Sequence, residues 1–136
     1  MIEKFVYLIC PFVSLLICIL IKDVIEMIQN NKIDLSRILS GSGGMPSCHA
    51  SFISSFTTLV GLKLGISSPL FSMALIFSLI TCYDAINSRY QCGLQAKMLN
   101  KIVGETRFKE KLGHKKLEVF IGILIGIMEG IIFSNF

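Results

Sequence analysis

Charged side chains are scarce in this chain of 136 residues, where Asp, Glu, Lys and Arg together make up 16%. Hydrophobic residues make up 53%, and the mean hydropathy is +0.72. A soluble domain this small has a large surface relative to its volume, which so few charges could not cover. The composition therefore excludes an ordinary soluble domain and indicates a single membrane-embedded domain over residues 1–136.

Metal-binding patterns are also lacking. Five cysteines are present, without CxxC or Cys/His ligand spacing: Cys10, Cys18, Cys48, Cys82 and Cys92. The sequence therefore predicts no metal site and no cofactor. An odd number of cysteines in apolar runs also argues against a disulfide scaffold, so we expect most of them to be small apolar core residues.

Long apolar runs are what the sequence does contain. Residues 5–21 form an uncharged run whose helical pattern continues towards residue 28, which predicts a first helix that projects beyond the bilayer. Further spans are predicted at about 46–64, 69–88 and 117–133, and an amphipathic interfacial helix at 90–112. The predicted fold is an all-α membrane bundle of about four transmembrane helices plus that interfacial helix.

Basic residues are distributed unevenly across this topology. The two long connections, residues 30–44 and 90–112, lie on the same side and with their flanks carry eleven cations: Lys22, Lys32, Arg37, Arg89, Lys97, Lys101, Arg107, Lys109, Lys111, Lys115 and Lys116. The opposite side carries only Lys4 and Lys63. The positive-inside rule therefore predicts cytoplasmic loops and external termini for a multi-pass protein.

The segment Gly43–His49, GGMPSCH, suggests an anion site at the start of the second span. Its glycines, including Gly44, free the backbone, and we expect Pro46 to fit the first helical turn together with Ser47 and His49. Unpaired N–H groups and the positive end of the helix dipole favour phosphate at such a position.

The second of the two histidines, His114, precedes Glu118 by four residues. A carboxylate at this spacing fixes the tautomer of an imidazole and stabilises its protonated form. The alternative is a surface pair at a helix start. Under the predicted topology His114 lies at the same membrane face as His49, and Lys22 and Arg89 reach that face from the ends of two other spans.

Asp84 ends an uncharged run of the third span, where an ionisable residue is costly unless it is paired or functional. It either orients Arg89, holds a lysine from another helix, or extends to water at the interface. Glu129 receives no catalytic role. The basic run from Arg107 to Lys116 suits anionic headgroups, whereas a nucleic-acid surface would need stacking aromatics between the cations.

Four blocks, GGMPSCHA, YDAINSR, QA-x2-LN and LGHKKLEV, resemble in order and spacing the divergent branch of the type 2 phosphatidic acid phosphatases. That branch is also described as acid phosphatase/vanadium-dependent haloperoxidase-related. The resemblance covers roughly residues 15–130. It implies a helical phosphatase that forms a phosphohistidine intermediate without a metal.

By that resemblance His114 is the nucleophile, Glu118 its carboxylate partner and His49 the general acid. The resemblance also implies phosphate-binding roles for Lys22 and Ser47. The chain departs from the family pattern in three places. Cys48 replaces a glycine, Glu118 replaces an aspartate, and Phe108 stands where an arginine is expected. Arg89 and Arg107 are the alternatives for that arginine, and the end of a membrane helix favours Arg89.

Two functions remain open on the sequence. The first is a membrane phosphatase acting on a lipid phosphate or isoprenoid diphosphate at the cytoplasmic face, with Lys22, Gly44, Ser47 and Arg89 holding the phosphoryl oxygens. The second is a catalytically inactive membrane protein that binds anionic lipid headgroups in a transport or scaffold role. Four spans make a thin bundle, so a homodimer is plausible; no nucleic-acid partner is expected.

Overall fold

The computed structural model describes residues 5–30 and 44–136. Its helices are α1 (Val6–Asn30), α2 (Cys48–Leu64), α3 (Pro69–Ile86), α4 (Ser88–Val103) and α5 (Lys116–Ser134). The predictions made for Lys4, Lys32, Arg37, Gly43 and most of the 30–44 connection lie outside the described residues.

Three helical stretches within the described residues are long and apolar enough to cross a membrane: Val6–Ile28, Pro69–Val103 and Lys116–Ser134. The second of these contains α3 and continues into the more polar α4. Helix α2 has 17 residues, at the short end of the range of about 17–25 that spans a bilayer. The all-α membrane bundle is confirmed, with three clear spans and α2 as a short fourth helix among them.

Helix α2 lies at the centre and packs against α1, α3 and α5. Its Ser and Thr residues make this possible because they are small and their hydroxyls bond to backbone carbonyls of α2 itself. Ser54 Oγ donates to the Ala50 carbonyl at 2.6 Å, and Thr57 Oγ1 lies 2.8 Å from the Ile53 carbonyl. The helix thereby buries polar side chains without unpaired groups, as predicted for a Ser/Thr-rich helix that faces other helices.

Three glycines of α5 make its contact with α2 unusually close. A Cβ atom at Gly130 would lie 2.6 Å from Thr58 Cβ and 2.8 Å from the Ser55 carbonyl oxygen. Gly126 and Gly122, one and two turns earlier, lie as closely against the α2 segment that begins at Ser47. We call the stripe Gly122, Gly126 and Gly130 the glycine seam. Small residues at this spacing let two membrane helices approach each other's backbone.

The start of α2 differs from the sequence prediction. Ser47 is the N-cap, with an extended backbone and a side chain that accepts from the Ala50 N–H, so Pro46 lies before the helix rather than in its first turn. His49 does lie in the first turn. At the link between α2 and α3, Ser68 caps α3 and Pro69 occupies its first turn.

The predicted helix over 90–112 is wrong in its second half. Helix α4 ends at Val103, and Gly104 follows in the left-handed region with φ 79°. Residues 104–115 then run back alongside α4 without helical structure; we call this the return segment. The apolar stripe that suggested an interfacial helix (Leu94, Met98, Leu99 and Ile102) is exposed on α4, as expected for a helix at a membrane surface.

Asn100 fastens the return segment to α4. Its Oδ1 accepts from the backbone N–H groups of Arg107 and Phe108, at 3.0 and 2.8 Å. Its Nδ2 donates to the Phe108 carbonyl and to Glu110 Oε1, both at 2.8 Å. A single buried amide therefore satisfies the polar groups of a segment that has no helix of its own.

Two glycines allow the return segment to lie directly on α4. A Cβ at Gly93 would lie 2.6 Å from the Glu110 carbonyl oxygen. Gly113, with φ 73°, touches the backbone of Arg89 and Tyr90. The segment therefore ends at the α3–α4 junction, where the His114 N–H donates to the Ala85 carbonyl at 2.9 Å.

Candidate active site

The starts of α2 and α5 meet at one end of the bundle. The Ser47 N–H donates to the Glu118 carbonyl at 3.0 Å, which ties the first turns of the two helices together. His49 on α2 and His114 just before α5 are close enough for their charges to interact. The structure thus brings together two histidines that are 65 positions apart in the chain.

His114 is held on several sides. Its side chain is only 8% exposed, and its Nδ1 lies 3.1 Å from Glu118 Oε2. The same carboxylate oxygen accepts from the Lys115 N–H at 3.1 Å. The predicted pairing of His114 with Glu118 is present, but His114 precedes α5, and Glu118 reaches back to it from the first turn. Burial excludes the alternative of a surface pair.

The pKa of His114 is lowered below the ordinary histidine value, chiefly because burial disfavours the charged ring. The hydrogen bond that His114 Nδ1 donates to Glu118 opposes this shift by favouring the protonated form. The nearby charge of Lys22 lowers the pKa further, whereas the charge of Glu118 and the Gly44 carbonyl raise it. At neutral pH these effects favour a neutral imidazole beside a carboxylate.

His49 has a more open setting. It lies on the exposed side of the first turn of α2, next to the buried Ala50. Its charge interacts with Arg89, His114 and Lys22, and with the opposite charge of Asp84. His49 therefore faces the space that these groups surround, and solvent reaches it there.

Lys22 enters the site from α1. Lys22 ends the uncharged part of the first span, and α1 continues for two further turns to Asn30, as predicted for a helix that projects beyond the bilayer. Its side chain lies beside Gly44, where a Cβ would be 3.5 Å from Lys22 Cε. Its charge acts on His49 and His114. Gly44 has φ 129°, a conformation that side chains rarely adopt, and this leaves room for the lysine.

Arg89 and Asp84 form an ion pair at the α3–α4 junction, with Arg89 Nε 2.8 Å from Asp84 Oδ2. Of the roles considered for Asp84, the structure shows that it orients Arg89. Both side chains are about half exposed, so the pair contributes little to stability, and its effect is to position the guanidinium near His49.

Arg107, the alternative to Arg89, lies elsewhere. Its side chain is exposed and pairs with Glu105 at 3.7 Å. Its N–H bonds to Asn100, which lies eleven residues along α4 from Arg89, or about 16 Å at the helical rise. Of the two arginines, Arg89 is the one at the histidines.

The hydroxyl and the N–H of Ser47, predicted as phosphate donors at the start of α2, are engaged within the protein. The Ser47 hydroxyl is fully buried and caps α2, and the Ser47 N–H is bound to the Glu118 carbonyl. Ser47 therefore builds the site by joining α2 to α5 rather than offering an exposed donor. The cations Lys22 and Arg89 are the groups placed to meet an anion.

Over residues 5–30 and 44–136, no group of three or more His, Cys, Asp or Glu side chains is placed to hold a metal ion. Sequence reasoning missed the two features that align the histidines, namely Asn100 and the glycine seam. The sequence contains a pattern for each: Asn100 is the last residue of the QA-x2-LN block, and the seam has the spacing GxxxGxxxG.

Comparison with known proteins agrees with this architecture. The family model described as the divergent PAP2 family matches residues 4–129. The chain is also similar to the uncharacterized membrane protein YuiD of Bacillus subtilis (strain 168), with 35% identity over 85% of each chain. No solved structure matches. The chain therefore belongs to the divergent PAP2 family and is a membrane protein.

Proposed function

We propose that this member of the divergent PAP2 family is a membrane phosphatase that hydrolyses a lipid phosphate or isoprenoid diphosphate through a phosphohistidine. The observation that carries the proposal is the meeting of His49 and His114 beside Lys22 and Arg89, with His114 buried against Glu118. A neutral imidazole paired with a carboxylate is a nucleophile, and two adjacent cations suit a phosphoryl group.

In the proposed reaction His114 attacks phosphorus. Its Nδ1–H donates to Glu118, so in the neutral ring Nε2 carries the lone pair that attacks phosphorus. The N–P bond forms as the bond from phosphorus to the leaving oxygen breaks, and Glu118 stabilises the resulting positive charge on the ring. Water then attacks the phosphohistidine, which releases phosphate and restores His114.

His49 is the proton donor in this scheme. It is exposed to the space between the cations, where the leaving oxygen of a bound phosphate would lie. It gives its proton to that oxygen in the first step and takes one from the attacking water in the second. A residue with both tasks must be protonated at the start and must contact solvent.

Lys22 and Arg89 supply the charge that phosphoryl transfer needs. Arg89 uses Nε to bind Asp84, which leaves its terminal Nη groups to donate to phosphoryl oxygens. Lys22 approaches from α1 on the Gly44 side. We place the site at the cytoplasmic face, because the cationic connections flank it.

The test is phosphate release by the purified protein in lipid nanodiscs, with an isoprenoid phosphate and a diacyl phosphate as substrates. We expect turnover that His114→Ala abolishes and that Lys116→Ala retains, since Lys116 is an exposed neighbour outside the site. Turnover that survives His114→Ala would rule out the phosphohistidine. Phosphate binding without turnover would favour the headgroup-binding alternative.

A further inference from the structure

A cavity of about 320 Å³ lies between α2, α3 and α5, away from the charged site. Helices α3 and α5 both pack on α2 but touch each other little, so a groove remains between them. Its walls include Thr57 and Thr58 of α2, Leu75 and Cys82 of α3, and Ile123 and Ile127 of α5. We call this space the α3–α5 groove.

The hydroxyls of Ser54, Thr57 and Ser78 in the groove are satisfied by the protein. Ser54 Oγ donates to the Ala50 carbonyl at 2.6 Å. Thr57 Oγ1 and Ser78 Oγ lie 2.8 Å apart, and Thr57 Oγ1 also lies 2.8 Å from the Ile53 carbonyl. Because these polar groups bond to one another and to backbone, the groove presents apolar surface and suits a hydrocarbon rather than a polar ligand.

One end of the groove lies directly beneath the candidate active site. Cys82 and Ile123 line the groove and also pack against the buried cluster of Ala50, Ala85 and Val119. Every member of that cluster adjoins the site. Ala50 follows His49, Val119 follows Glu118, and the Ala85 carbonyl binds the His114 N–H.

The other end is closed by Phe71. Its ring packs on Gly61 of α2, where a Cβ would lie 2.8 Å from the ring carbon Cε2. Phe71 is eleven residues from Cys82 on α3, which corresponds to a groove about 16 Å long at the helical rise. The groove thus runs along the bundle from beneath the proposed phosphate site to the ring of Phe71, with one side open at the bundle surface.

We propose that the α3–α5 groove holds the apolar tail of the substrate, and that the tail is a single chain. This inference rests on the proposed function, because it takes the phosphoryl group to lie at His114. Ligand pockets range from about 300 to 1,000 Å³, so a groove of about 320 Å³ lies at the lower end of that range and suits one chain better than two. The substrate class is therefore a single-chain phosphate, isoprenoid or monoacyl, in preference to a diacyl phosphate.

The first experiment compares phosphates with one chain and with two chains in nanodiscs, for the wild type and two variants. Leu75→Trp fills the groove, whereas Ile76→Trp is a matched control on the exposed outer side of α3. We expect kcat/KM for a long single-chain phosphate to fall about 10-fold or more in Leu75→Trp, since several buried methylenes are displaced. Hydrolysis of phenyl phosphate, which lacks a chain, should stay at the wild-type rate in Ile76→Trp, and Leu75→Trp should slow it far less than it slows the long-chain phosphate.

A second variant tests the floor. Phe71→Ala should shift the preferred chain length upward, because it lengthens the groove beyond its present end. Unchanged chain-length preference in Phe71→Ala together with no effect of Leu75→Trp would overturn the inference, as would equal rates on one-chain and two-chain phosphates. Ordinary bilayer lipid would then be the occupant of the groove.

Binding separates this inference from the proposed function. Displacement of a fluorescent single-chain alkyl phosphate is measured in the same proteins without turnover. Loss of binding in Leu75→Trp but not in Ile76→Trp supports the groove even if no phosphate is ever released, in which case only the proposed function fails. Turnover that is lost in His114→Ala but unchanged in Leu75→Trp would support the proposed function and overturn the inference about the groove.

Discussion

The two histidines of the site differ in how firmly the protein holds them. His114 is 8% exposed and is fixed by Glu118 through its ring and by Ala85 through its backbone. His49 lies on an exposed helical turn and meets its neighbours through charge. The first suits an atom that must be aimed at phosphorus, and the second suits a proton donor that must reach both a leaving group and water.

The difference also divides the fold into two supporting structures. His49 depends on α2, the central helix, whose position is set by the glycine seam with α5. His114 depends on the return segment, which α4 holds through Asn100. Substitutions can therefore affect one histidine without the other, and the kinetic effects of the two kinds of substitution should differ.

The largest effect is expected for His114. His114→Ala should reduce turnover by at least about 10³-fold, because the covalent step is lost. Rapid quenching with a labelled substrate should detect an acid-labile phosphoprotein in the wild type and none in this variant. If His114→Ala formed the phosphoprotein in normal yield, the nucleophile would be another residue.

His49→Ala should slow the hydrolysis of alkyl phosphates by about 10²- to 10⁴-fold, the usual contribution of a general acid. With p-nitrophenyl phosphate, whose leaving group needs no proton, the loss should be far smaller. This contrast in steady-state kinetics identifies His49 as the acid. An equal loss on both substrates would assign it to binding instead.

Glu118→Gln should cost roughly 10- to 100-fold in rate and should also move the pH profile. In the proposed reaction His114 attacks as the neutral ring, so kcat/KM should fall as the pH drops through its lowered pKa. Glu118 raises that pKa, so its loss lowers the pKa further and shifts the acidic limb to lower pH. An acidic limb that stays in place would mean that another group governs it.

Asn100→Ala is expected to have the smallest effect on rate, about 10-fold, together with a loss of about 1–3 kcal/mol in stability from its buried hydrogen bonds. Turnover and thermal unfolding of Gln95→Ala, an exposed change on the same helix, provide the control. Because Asn100 acts on the segment before His114, the phosphoprotein yield should fall while the leaving-group dependence stays that of the wild type. If Asn100→Ala changed the dependence of the rate on the leaving group, the structures that support His49 and His114 would not be separate.

The order of serine and proline decides where α2 and α3 begin. In Ser68-Pro69 the serine comes first, so it caps α3 and the proline takes the first turn. In Pro46-Ser47 the order is reversed. The serine still caps the helix, and the proline is left outside it. The prediction for Pro46 failed because it considered the proline without its neighbour.

The pairing of His114 with Glu118 followed from their spacing, and the proximity of His49 followed from the count of spans. The end of α4 and the path of the return segment did not follow from the sequence, because they depend on hydrogen bonds between Asn100 and residues seven to ten positions later. The hydrophobic periodicity in the 90–112 region indicates an apolar face on α4. It cannot predict that the chain turns back along the same helix.

The glycine seam has a consequence for how the sequence can vary. Every replacement at Gly122, Gly126 or Gly130 adds at least one carbon where α2 leaves no space, so single changes on α5 separate the helices. A smaller side chain on α2 would not restore the space, because the added carbon would lie within 3.0 Å of the backbone carbonyl oxygen of Ser47, Ser51 or Ser55. Among relatives, positions 122, 126 and 130 should therefore remain glycine.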